Sequence, residues 1–89
     1  MKKRNVYLDH SATTYVRKEV LTAMMPYFTE IYGNSSSFHQ CGQESKKVLS
    51  QSRETFAKLI NAQYSDEIVF TSCGTESDNI AIKGVLSAN

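Results

Sequence analysis

The chain has 89 residues, of which 40% are hydrophobic and 21% charged, and a formal net charge of +1. This composition excludes disordered, collagen-like and membrane classes and allows one domain at most. A charge so close to zero sets up no field for nucleic acid or an anionic membrane, and no apolar run reaches the ~20 residues that a spanning helix requires.

The basic cluster Lys2-Lys3-Arg4 is followed by polar Asp9-His10-Ser11 instead of an apolar stretch. It is therefore not read as part of a signal peptide, and a cytoplasmic location is expected. Val6-Tyr7-Leu8 is a short apolar segment between polar flanks, which suits a brief strand or an extended arm. Residues 9–14 read as a loop. From Arg17 to Ile31, apolar Val20, Leu21, Met24, Phe28 and Ile31 recur at helical spacing, with Thr13 or Thr14 as candidate caps and a kink expected at Pro26.

Gly33-Asn34-Ser35-Ser36-Ser37 marks a loop. A second helix is expected from about Gln43 to Asn61, with Val48, Leu49, Ser52, Phe56, Leu59 and Ile60 on one face. Ile68-Val69-Phe70 is a run of β-formers after polar Ser65-Asp66-Glu67, and it reads as a strand buried on both faces of a parallel sheet. A third helix is expected from Thr75 to about Ala88, with Thr75 and Asp78 spaced as a capping box. The expected fold class is thus α/β, with two short strands, three helices and an incomplete sheet.

Cys41 and Cys73 form no C-x-x-C pair, so free thiols are expected, with neither a disulfide nor a zinc site. The residues that can carry chemistry lie between Ile68 and Ile82, where a glycine-containing turn leads into a helix. A helix N-terminus offers unpaired N–H groups and a partial positive charge, which suit a phosphate. Gly74 allows close backbone approach, and Thr75 can donate from both its N–H and its hydroxyl. Taken alone, this pattern more often marks an ordinary cap.

Three blocks stand in order along the chain: Tyr7-Leu8-Asp9-His10-Ser11-Ala12-Thr13-Thr14, Gly33 to His39, and Glu67 to Asn79. Together they resemble successive blocks of the cysteine desulfurases, in the class V aminotransferase group, over about Val6 to Gly84. Ser35 stands where a proline is frequent in that pattern, and Cys73 where a small residue such as glycine is usual.

The resemblance implies the N-terminal portion of a homodimeric, fold-type I enzyme dependent on pyridoxal 5'-phosphate. It divides the chain into an N-terminal arm (about 1–16), a helical part (17–61) and the start of the large cofactor-binding domain (66–88). Gly74 and Thr75 match the family's phosphate-binding pair, and Ala12 and Thr13 match a stretch near the substrate-binding mouth. The implied reaction converts L-cysteine to L-alanine. A cysteine thiolate attacks the substrate's sulfur, which then passes to an acceptor protein for iron–sulfur cluster or other sulfur-cofactor assembly.

In the family, the Schiff-base lysine, the stacking and acidic groups at the pyridine ring, and the persulfide cysteine lie C-terminal to the region represented here. No catalytic residue is therefore assigned in this chain, and cofactor binding by the 89 residues alone is expected to be weak or undetectable. Cys73 reads as inert, and His10 and His39 as loop residues. A selenocysteine lyase or another class V aminotransferase is the alternative within the same group that these residues leave open. A non-catalytic module for a phosphate ligand or a protein partner is the reading from a different class, and it requires a stably folded 89-residue chain.

Overall fold

The computed structural model describes residues 2–88. Its elements are α1 (Lys18–Met24), α2 (Pro26–Thr29), α3 (Gln40–Leu59), a 3-10 turn (Ser65–Glu67) and α4 (Gly74–Ala88). The chain divides into two units, Met1–Ser45 and Lys46–Asn89.

In the first unit, the helical periodicity from Arg17 onward is split at the proline. Pro26 has no N–H to continue the ladder of α1, and it occupies the first turn of α2, where none is needed. The ladder is handed over at Met25, whose N–H donates to the Leu21 carbonyl at 3.0 Å and whose carbonyl accepts from Phe28 at 3.1 Å. Neither Thr13 nor Thr14 caps α1. The N-cap is Arg17, with extended backbone and no side-chain cap hydrogen bond.

The loop after α2 wraps the first turn of α3. The Ser36 N–H donates to Asn34 Oδ1 at 2.9 Å and the Ser37 N–H to the Asn34 carbonyl at 2.9 Å. His39 ends the loop, its carbonyl accepting from the Gln43 N–H at 3.1 Å and its Nδ1 from the Gly42 N–H at 3.3 Å. With this imidazole cap α3 starts at Gln40, three residues before the expected start at Gln43. Gly42 is buried. A Cβ there would meet the carbonyls of Ser37 and Asn34 and stand 2.9 Å from Ser37 Cβ. A Cβ on Gly33 would meet the Cys41 backbone and stand 2.9 Å from Cys41 Cβ. The loop closes only because both residues lack side chains.

In the second unit, α3 ends in a Schellman motif. The Ala62 N–H reaches the Ala57 carbonyl at 2.8 Å, the Asn61 N–H reaches the Lys58 carbonyl at 3.3 Å, and Asn61 takes the left-handed conformation at φ 59°. Asparagine tolerates that region better than other non-glycine residues. The Tyr64 N–H then donates to Glu67 Oε2 at 2.7 Å across the 3-10 turn.

The two expected strands are not formed: among the described residues there are helices and turns but no strand. Ile68 has extended backbone (φ −96°, ψ 121°), yet Ile68-Val69-Phe70 and Val6-Tyr7-Leu8 pair with no neighbouring segment. A strand exists only where a second extended segment completes its hydrogen-bond ladder. Phe70 turns its ring to α3 instead. It packs edge-to-face on Phe56, with centroids 6.1 Å apart and planes at 74°, and it carries the Arg53 guanidinium 5.3 Å from its own centroid.

Large apolar side chains remain on the surface in both units, among them Leu8 (88% exposed), Phe38 (95%) and Leu86 (72%), and among the described residues Ala57 is the one buried hydrophobic side chain. Helix formation here therefore draws on local hydrogen bonding more than on a packed interior.

Two substitutions test these helix ends. Gly42→Ala is expected to open the loop wrap at a cost of about 1–3 kcal/mol, read as faster amide hydrogen exchange at Ser37 and Gln43 with the middle of α3 unaffected. Asn61→Val is expected to cost about 1–2 kcal/mol, while Asn61→Gly leaves thermal stability unchanged or raised. Equal effects of valine and glycine would contradict the left-handed cap.

Candidate functional site

The best-defined polar cluster surrounds the first turn of α4. The Ser77 N–H donates to the Cys73 carbonyl at 3.1 Å, which makes Cys73 the N-cap, Gly74 and Thr75 the first two helical residues, and Glu76 the third. The expected Thr75–Asp78 capping box is not what closes this end. The helix begins earlier, and Glu76 reaches back instead, its Oε2 accepting from the Ser72 hydroxyl and, at 3.3 Å, from the Ser72 N–H. Thr71 Oγ1 donates to the Cys73 carbonyl at 3.1 Å and meets Ser77 Oγ at 2.6 Å. Asn79 Nδ2 donates to the Thr75 carbonyl at 2.8 Å.

The Cys73 sulfur sits where an anion would. The Glu76 backbone N–H, then the Ser72 hydroxyl, and to a smaller degree the Thr75 N–H and hydroxyl, hold its thiol below the ordinary value, while desolvation opposes them. Glu76 is also held below the usual carboxylate value, first by the Ser72 hydroxyl and then by the Ser72 N–H. Ser72 Oγ lies 3.8 Å from Cys73 Sγ as well as against Glu76. It has one proton for two acceptors, so it cannot serve thiolate and carboxylate fully at once.

Gly74 and Thr75 thus stand side by side at an exposed helix N-terminus. A Cβ on Gly74 would meet nothing within 4 Å, so nothing within the chain requires glycine there. The exposed first-turn N–H groups and the Thr75 hydroxyl are donors of the kind a phosphate takes, so the residues present fit a phosphate group.

Ala12 and Thr13 lie in the first unit, in a turn that starts at Asp9. The N–H groups of Ala12 and Thr13 reach the Asp9 carbonyl at 3.1 and 3.4 Å. The Tyr7 hydroxyl is 3.0 Å from the Asp9 carbonyl and 2.9 Å from the Thr13 carbonyl. His10 Nδ1 meets Thr14 Oγ1 at 2.7 Å, and its ring lies 4.7 Å from that of Tyr7 and 6.3 Å from that of Tyr15.

The sequence reading missed Ser72, Glu76, Thr71 and Ser77. The four-residue spacing of Ser72 and Glu76 was the available signal, hidden by the equally good three-residue spacing of Thr75 and Asp78. A depression of about 300 Å³ at the end of α3 is lined by Ala57, Lys58, Ala62 and Tyr64 among others, and by none of the expected site residues. Both cysteines are free and exposed. Among the described residues no His, Cys, Asp and Glu side chains gather to hold a metal ion, and no helix is long and apolar enough to cross a membrane.

The profile of the family described as aminotransferase class-V matches residues 6–88. Cysteine desulfurase IscS of Dictyoglomus turgidum is 56% identical over 86 residues, 97% of this chain and 22% of that protein. Cysteine desulfurase NifS of Azotobacter vinelandii is 49% identical over 84 residues (94% and 21%), and cysteine desulfurase IscS of Methanosarcina thermophila is 54% identical over 84 residues (94% and 20%). The chain therefore spans about a fifth of the length of these relatives. No solved structure gives a significant match to the chain.

The cap of α4 has a pH signature. Both ionised groups are favoured by the fold, so the stabilisation is complete above their ordinary values and is lost as pH falls through the lowered ones. In a Cys41→Ser background, the pH midpoint for alkylation of Cys73 is expected to be lower in the native chain than in the chain unfolded by denaturant. Ser72→Ala should raise the native midpoint toward the unfolded one. Coincident native and unfolded midpoints would mean that the sulfur is not at the helix N-terminus.

Proposed function

Because the chain belongs to the aminotransferase class-V family, we propose that it forms the N-terminal part of a cysteine desulfurase that takes sulfur from L-cysteine with pyridoxal 5'-phosphate as cofactor. The observation that carries this reading is the near 50% identity to proteins named cysteine desulfurases across 93–97% of the chain. In this reading the cofactor's phosphate is held at Gly74 and Thr75, the first two residues of α4.

When bound, the cofactor supplies an electron sink for the substrate's Cα bonds. The part of this chain is to bind and to shape. The N–H groups of the first turn and the Thr75 hydroxyl neutralise the phosphate, and the helix dipole adds to them. The turn at Ala12 and Thr13 borders the substrate. In this reading, the attaching lysine and the sulfur-accepting cysteine belong to parts of the enzyme outside these 89 residues. The same further parts cover exposed apolar residues such as Ile80, Ile82 and Leu86 of α4. The enzyme is a cytoplasmic homodimer that hands its sulfur to an acceptor protein.

Expressed with the remainder of its polypeptide, the protein is expected to release L-alanine from L-cysteine, with the sulfur recovered as a protein persulfide. Thr75→Val in that protein is expected to weaken the cofactor's binding by about tenfold or more, since it deletes a hydrogen bond to a charged phosphate. The shift is read by titrating cofactor absorbance. Unaltered affinity would take the phosphate away from this turn, and alanine release from other amino acids but not from cysteine would overturn the substrate.

A further inference from the structure

We propose that Tyr7 is a positioning residue for the substrate mouth, its hydroxyl acting as the clasp that holds the Asp9–Thr13 turn closed; this rests on the reading that Ala12 and Thr13 border the bound amino acid. The turn is short and exposed, and its two backbone hydrogen bonds converge on one acceptor. The N–H groups of Ala12 and Thr13 both reach the Asp9 carbonyl, at 3.1 and 3.4 Å, and the second of these is long. A shared, partly stretched pair of this kind does not by itself fix one conformation in water.

The Tyr7 hydroxyl supplies the missing constraint. It lies 3.0 Å from the Asp9 carbonyl and 2.9 Å from the Thr13 carbonyl, so it ties the first residue of the turn to the last. With a single proton to donate, it is shared between the two carbonyls, and both are drawn toward the same point. The two carbonyls are thereby committed within the turn. The Ala12 methyl and the Thr13 side chain are left on an exposed stretch whose backbone is set.

The ring of Tyr7 is itself held. It lies against His10, with centroids 4.7 Å apart, and the His10 ring is fixed at its other end by the 2.7 Å contact of Nδ1 with Thr14 Oγ1. Both contacts come from within the same turn region, so the clasp is local and does not depend on burial. Its expected effect is on how well the substrate is received. The reacting atoms lie elsewhere, and Tyr7 touches neither substrate nor cofactor in this assignment.

Tyr7→Phe keeps the ring and removes only the hydroxyl. In the complete enzyme, this change is expected to raise KM for L-cysteine by about three- to tenfold, the equivalent of one neutral hydrogen bond. kcat should change by less than about twofold, and cofactor absorbance and thermal stability should be retained. Amide hydrogen exchange at Ala12 and Thr13 should accelerate in the same variant. An active enzyme with unchanged KM, or with exchange at those amides unchanged, overturns the clasp alone. Absence of L-cysteine desulfuration by the unsubstituted enzyme overturns the functional reading, and the inference with it.

Discussion

The helix ends of this chain depend on local partners for their orphan N–H and carbonyl groups, because little of the structure is shielded from water and packing cannot compensate for a loose end. Apart from the start of α1, which has no side-chain cap, the ends meet this constraint in different ways. An imidazole closes the start of α3 and a left-handed asparagine closes its C-terminus. At Pro26 the ring simply removes the donor that would have lacked a partner. At α4, the Ser77 N–H closes on the Cys73 carbonyl, and the Glu76 carboxylate returns to accept from the Ser72 N–H and hydroxyl just ahead of the helix. The positions of the elements follow from where such groups occur.

The same constraint produces the candidate site. A helix start that must recruit acceptors is by construction a place where anions are favoured. In α4 the recruitment is carried to the point where the Cys73 thiol and the Glu76 carboxyl are both easier to ionise than usual.

Glycine and small polar residues set the local shape wherever the backbone approaches itself. Gly33 and Gly42 allow loop and helix to touch where a Cβ would collide. Gly74 and Gly84 face open space instead, so packing within the chain does not require glycine at either. That contrast cannot be drawn from the residue letter alone.

Three helical regions, the interruption at Pro26, and the pairing of Gly74 with Thr75 at a helix start were legible from periodicity and residue type, because a helix takes its hydrogen bonds from its own neighbours in sequence. The three ordered blocks likewise identified the family, since they are a property of the letters themselves. Strand pairing was not legible in this way. Ile68-Val69-Phe70 has the composition of a buried strand, but a strand's hydrogen bonds come from a segment elsewhere, and here its phenylalanine packs on α3 instead. The register of the α4 cap, the early start of α3 at His39 and the tie from Tyr7 across the Asp9–Thr13 turn were decided only in three dimensions. Each depends on which of several suitable side chains actually reaches the backbone group, and distance and angle in the folded chain settle that choice.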